Sequence, residues 1–375
     1  MLFFASITIL SAFMVCNCYR SPDTENGPAR NHSYLKAVWR ILGINVAKFT
    51  AIQRANCYHK EGQNPACKFG NNSYMLLFGI VQIIMSQIPD FHGMEWLSIF
   101  SAIMSFTYSI IGSALGLAKV IGDGYIKGDI VGVQTSNATQ KVLLVAQALG
   151  DIAFAYPFSI ILIEIQNTLK SPPPEKVTMK NASMMATCIT TIFYLLSGGF
   201  GYAAFGNSAR GNLLTGFGFF EAYWLIDFAN MCVAVHLVGA YQVFSQPQFA
   251  MVERWAAEKF PSSGFVNDNY ILVLPLLPAF RLNLFRLCFR TAYVASTTGV
   301  AIIFPYFNQV LGVAGTLNFW PLIVYFPVEM YIVQKNIGKW TRKRITLHIY
   351  SSICLLVATF ALVGSIEGLI TAKYS

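Results

Sequence analysis

Near the middle of an apolar stretch, residues 142–167 (VLLVAQALGDIAFAYPFSIILIEIQN), stands a carboxylate, Asp151, directly after Gly150 and six residues before Pro157. The stretch is long enough to cross a bilayer, which takes ~20 residues at 1.5 Å each. A carboxylate at that depth costs roughly 2.5–3.5 kcal/mol. Glycine and proline on either side weaken the helix and free backbone groups. A broken helix offers its positive N-terminal end to an anionic group and bare carbonyls to a cation. That is the chemistry of holding and releasing a charged solute. A structural carboxylate buried in a bundle needs a cation beside it, yet none of the 26 Lys and Arg residues falls at the centre of an expected span. Asp151 is therefore read as functional and as suited to exchanging a proton.

Other polar residues inside apolar stretches are less pointed. Asp227 and Asn230 are three apart on one helical face, so they either face a cavity or make structural hydrogen bonds. His236, nine residues after Asp227, lies about 180° around the same helix and is read as a packing histidine. Enzyme signatures are missing: there is no HExxH, GxSxG or GxxxxGK[ST], and no zinc-type Cys/His spacing. No cofactor or metal is expected. Of the eight cysteines, Cys57 and Cys67 stand out in a polar loop with nine residues between them, either paired or as free thiols. Sequons occur at Asn31, Asn71, Asn137 and Asn181.

The elements that must position these residues follow from composition. The 375 residues are 55% hydrophobic and 11% charged, against roughly 25% charged in soluble proteins. No run of short alternating strands suggests a barrel, so the fold class is an all-α polytopic membrane protein. Residues 1–20 form a short hydrophobic segment (a signal-peptide core, a signal anchor or the end of a span), and 21–72 a polar loop. Residues 73–375 hold about eight helices, at 73–88, 97–121, 142–167, 184–205, 222–244, 287–307, 311–333 and 347–371. Gly112 and Gly116 have the four-residue spacing of close helix packing, and Pro321 and Pro327 should bend their span. The formal charge of +9 resides in loops, so no nucleic acid partner is implied. Lys170, Lys176 and Lys180 mark one basic loop; Arg254, Lys259, Arg281, Arg286 and Arg290 a second; Lys335, Lys339, Arg342, Lys343 and Arg344 a third. The positive-inside rule makes these cytoplasmic. Alternation then puts 16–72 outside, although its eight Lys and Arg favour the opposite side.

Several motifs carry a resemblance. ALGDIAFAY at 148–156, LIEIQNTLKSPP at 162–173, GYAAFGNSARGNLLTGFGF at 201–219 and HLVGAYQVFSQP at 236–247 resemble plant amino acid permeases of the amino acid/auxin permease family. So do ANCYHKEGQNPAC at 55–67 and FNQVLGVAGTLNFWPLIVYFPVEMYI at 307–332. The resemblance implies an inverted-repeat amino acid transporter fold, here with an incomplete first repeat because the first and third helices have no counterpart. It implies proton-coupled symport of neutral and acidic amino acids in the plasma membrane, with amino acid, protons and lipid bilayer as partners. Gly150, Asp151, Ala153, Phe154, Ala155 and Tyr156 become an unwound, substrate-facing segment, with Phe154 and Tyr156 as side-chain walls. Asp227 and Asn230 join the substrate site, Asp151 couples protons, and Cys57 and Cys67 form an extracellular disulfide. With one repeat incomplete, residues 1–375 alone are expected to be inactive or retained in the endoplasmic reticulum. The alternative is a non-transporting sensor or inhibitory partner of full-length permeases. Oligomeric state is not legible.

Overall fold

The computed structural model describes residues 1–17, 20–21, 29–30, 71–87, 95–133, 135, 137–209, 211–217, 223–272, 280–304 and 306–374. Among these the fold is helical, as apolar solvent requires: a helix satisfies every backbone group within one segment. In chain order the helices are α1 (Leu2–Asn17), α2 (Asn71–Ser86), α3 (Glu95–Asp123), α4 (Ala138–Phe154), α5 (Leu162–Thr168), α6 (Glu175–Phe205) and α7 (Leu213–Gly216). They continue with α8 (Tyr223–Lys259), α9 (Gly264–Asn267), α10 (Leu284–Ile303), α11 (Phe307–Asn318), α12 (Phe326–Gln334) and α13 (Arg342–Tyr374). Strand pairing is confined to two small antiparallel ribbons, Arg20–Ser21 with Ala29–Arg30 and Asn269–Leu272 with Phe280–Asn283.

Among the described residues six helical stretches are long and apolar enough to cross a membrane: Leu97–Asp123, Ala138–Thr168, Glu175–Ser208, Tyr223–Lys259, Asn308–Gln334 and Arg342–Tyr374. The expected span at 73–88 is the shorter apolar helix Met75–Ser86. The one expected at 287–307 is α10, whose first turns carry Arg286 and Arg290. Those two arginines, expected in a loop, are helical. The helices beginning at Glu175 and ending at Lys259 overrun the expected 184–205 and 222–244. Their polar ends continue the helix, because a helix stops where its backbone loses partners and not where hydropathy falls.

The chain divides into two compact units. The first comprises Met1–Val38, Ser109–Gly216 and Tyr306–Ser375. Its core is apolar, with Phe4 edge-on to Phe319 at 4.9 Å and Ala153, Tyr156, Ile323 and Val328 around them. The expected bend near Pro321 takes the form of a π-helical segment, Phe319–Tyr325, and Pro327 lies in the first turn of α12. Proline lacks an N–H, so it fits a first turn and a widened turn at little cost.

The second unit comprises Trp39–Tyr108 and Phe217–Pro305. Its interior mixes apolar residues such as Phe78, Leu237 and Phe249 with hydrogen-bonded polar ones. Gln242 of α8 donates to Gln82 Oε1 of α2 at 2.6 Å, and Gln246 donates to Gln242 at 3.2 Å. Tyr241 meets Thr297 at 2.9 Å, and Tyr293 donates to Gln248 at 2.9 Å. Arg290, 1% exposed, donates to Glu253 at 2.6 Å and to the Ser86 carbonyl, while Arg286 reaches the other Glu253 oxygen at 3.2 Å. His236 Nδ1 lies 3.0 Å from the Ser101 carbonyl, its ring edge-on to Tyr108. That is a packing role, in line with its expected reading.

Candidate functional site

Asn137 starts the element on which the site is built. Its side chain accepts the Thr139 N–H at 3.0 Å and so caps α4. The helix continues through Asp151 to Phe154, and Ala155 N–H turns back to the Ile152 carbonyl at 3.0 Å. Pro157 then opens a tighter 3-10 turn, Pro157–Ile161, before α5 resumes. The resemblance implied an unwound Gly150–Tyr156. Instead Gly150–Phe154 is helical and the break is confined to Ala155 and Tyr156. Glycine alone does not end a helix, whereas the residue before a proline is pushed out of helical geometry, and Tyr156 precedes Pro157.

Three helices meet at Asp151. A methyl group added at Gly315 would sit 2.5 Å from the Gly150 carbonyl and 2.8 Å from Phe154 N. One added at Gly364 would sit 2.5 Å from Ala146 Cβ. The backbones of α4, α11 and α13 therefore touch where only hydrogen fits between them. A methyl at Gly312 would stand 2.9 Å from both Asp151 Oδ1 and Ser365 Oγ, which brings those two groups to one spot. Ser365 spends its proton on the Ala361 carbonyl at 2.9 Å. Asp151 Oδ1 is buried and has no hydrogen-bond partner among the described residues. No described cation pairs with Asp151.

The remaining expected site residues divide by use. Gly150 and Ala153 are buried in packing. Phe154 is half-buried beside Gly315. The Ala155 carbonyl, freed by the break, accepts Tyr194 OH at 3.2 Å. Tyr156 is 1% exposed, with its hydroxyl 2.8 Å from Thr191 Oγ1 of α6. Asp227 and Asn230 belong to the second unit, where Asn230 is buried and Asp227 Oδ1 is buried without a partner among the described residues. Cys57 and Cys67 lie outside the described residues.

Sequence reasoning passed over Glu164 and Gln166. Both carboxylate oxygens of Glu164 and both amide atoms of Gln166 are buried without a partner among the described residues, as is Ser159 Oγ. The signal was present: a carboxylate and an amide inside one apolar run, LIEIQN. It also missed Glu253 as the partner of Arg286 and Arg290, whose four-residue spacing puts them on one face.

The comparison with known proteins bears on an arrangement built from a carboxylate and a helix break inside apolar helices. The sequence profile of the family described as transmembrane amino acid transporter protein matches residues 46–371. The chain is 53% identical to a probable amino acid permease 7 of Arabidopsis thaliana, over 99% of this chain and 85% of that protein. It is 46% identical to amino acid permease 3 of the same plant, over 99% of this chain and 83% of that one. A lysine histidine transporter-like 6 from Arabidopsis thaliana is 32% identical over 80% of this chain and 63% of its own length. Membrane-length helices, a carboxylate at a helix break and near full-length similarity to permeases agree, and the chain belongs to the transmembrane amino acid transporter family, as a transporter of the plant amino acid permease type and not an enzyme.

Proposed function

We propose that the chain moves neutral and acidic amino acids across the plasma membrane together with protons, by alternating access and without covalent chemistry. One observation carries the reading. Asp151 presents a buried carboxylate oxygen with no partner among the described residues, one turn from a helix break, where three glycine-tight helices converge. A carboxyl group so placed gains or loses a proton without breaking a hydrogen bond. The Ala155–Tyr156 break supplies backbone groups for an amino acid's ammonium and carboxylate. Carboxylate, break and surrounding helices form within one unit, which favours transport over a non-transporting partner.

The test is uptake of labelled amino acids by transport-deficient yeast expressing the full chain. Saturable uptake should rise as external pH falls, and Asp151→Asn should lower it at least tenfold with the surface amount unchanged. Normal pH-dependent uptake by Asp151→Asn would refute the role of Asp151. No uptake by surface-exposed wild type would favour the non-transporting reading.

A further inference from the structure

One face of α6 is a buried column of hydroxyls at four-residue spacing: Ser183, Thr187 and Thr191. Thr191 Oγ1 donates to the Thr187 carbonyl at 2.6 Å and meets Tyr156 OH at 2.8 Å, so the column begins at the helix break. Thr187 Oγ1 donates to the Ser183 carbonyl at 2.8 Å, and Ser183 Oγ has no partner among the described residues. Positions four apart on a helix rise ~6 Å, a gap that one water with two hydrogen bonds of ~2.8 Å bridges.

The column leads to a second carboxylate. α5 packs against α6, and the short connection 169–174 makes the two antiparallel. From the Tyr156–Thr191 contact, Glu164 is eight residues on along one strand of the pair and Ser183 eight residues back along the other. At ~1.5–2 Å per residue, both lie ~12–16 Å toward the Lys170–Lys180 end, cytoplasmic by the positive-inside rule. Among the described residues neither buried Glu164 oxygen has a partner, and Gln166, 0% exposed, has none for its amide two residues further. Four residues with unspent polar atoms (Ser159, Glu164, Gln166 and Ser183) thus sit along one packed pair of helices. Burying polar groups without partners costs ~1–3 kcal/mol each, a cost that a fold with no use for them would avoid.

We propose that Glu164 is a proton-binding site on the inner half of the transport path, reached from the helix break along the Ser183–Thr187–Thr191 column. In each cycle the Glu164 carboxylate takes a proton from hydronium at the level of Ser183, leaving water, and becomes the neutral acid. It then gives the proton to water at the basic end and returns to the carboxylate. The charged groups on the elements packed against α5 are few. α1 brings no charged side chain, and α6 brings Glu175, Lys176 and Lys180, each already engaged. This inference rests on the proton-coupled reading above.

The full chain, reconstituted in liposomes, tests it through two readouts: net uptake driven by an imposed pH gradient, and exchange of labelled for unlabelled amino acid without a gradient. Glu164→Gln should lose at least tenfold in net uptake, flatten its dependence on internal pH, and keep exchange within about twofold. Glu164→Asp should recover most of the uptake, and Thr187→Val should slow it several-fold. Full gradient-driven uptake by Glu164→Gln would overturn the proposal, and so would equal loss of both readouts without recovery in Glu164→Asp. If Glu164→Gln behaves as wild type while Asp151→Asn fails, only the Glu164 assignment falls. Wild-type exchange with no response to the gradient would remove the proton-coupled reading itself, and this site with it.

Discussion

Asp151 and Arg290 show how differently two charged residues are housed in apolar helices. Asp151 has no counter-charge among the described residues, which fits the proton exchange proposed for it. Arg290 is almost fully buried but saturated: Glu253 lies 2.6 Å away, the Ser86 carbonyl accepts from it, and the Phe249 ring lies 5.0 Å below its guanidinium. An arginine held on three sides in this way is a structural tie between α2, α8 and α10. Removing one partner of a buried pair leaves the other charge uncompensated, at about 3–5 kcal/mol. Glu253→Gln should therefore lower the melting temperature of the detergent-solubilised protein markedly. The double replacement Glu253→Leu with Arg290→Met should be milder than the sum of its single changes, because the buried charge leaves with its partner and Arg286, which also loses Glu253, is partly exposed. A double variant as unstable as that sum would show that the two residues do not act as a pair.

At the level of elements, the α4–α11–α13 contact depends on the absence of side chains at particular positions. Gly364 faces Ala146 and the Leu143 carbonyl, at 2.5 and 2.7 Å from the place its Cβ would occupy. Gly198 and Gly199 of α6, by contrast, have nothing within 4 Å of such a carbon. Gly364→Val should thus prevent these helices from closing and abolish a monodisperse peak in detergent. Gly198→Ala should elute as wild type, with a stability change within about 1 kcal/mol. Gly116 is of the first kind, with the Phe200 backbone carbon 3.2 Å from its would-be Cβ. Gly112 meets Leu213 at an ordinary 3.7 Å. Its four-residue spacing from Gly116 therefore marks one close approach rather than two.

For the whole molecule, the expected orientation rests on three basic clusters, and the Cys57–Cys67 pair tests it. By the family resemblance this pair is an extracellular disulfide. On intact cells neither thiol should label with a membrane-impermeant maleimide until a reductant is added, and both should label afterwards. Labelling of both without reductant would remove the disulfide. Labelling only after permeabilisation would place 16–72 on the cytoplasmic side, which its eight Lys and Arg favour.

Hydropathy and motif together were enough for the class, the family and the carboxylate at the organising helix. Twenty apolar residues in water-free surroundings have one stable backbone form, and a charge within them needs a reason. The sequence also placed the helix interruption to within a few residues, since Pro157 removes a donor and constrains Tyr156. The residues that keep Asp151 company could not be read from the sequence. Gly312, Ser365 and Gly315 lie more than 150 positions away along the chain. Nothing in a glycine's local neighbours tells whether its hydrogen faces open space, like Gly198, or another backbone, like Gly364. Sequence reasoning passes over Glu164 and reads Arg290 as part of a loop. Whether a charge is spent or kept in reserve depends on what packs across from it, and that is decided only when the helices are brought together.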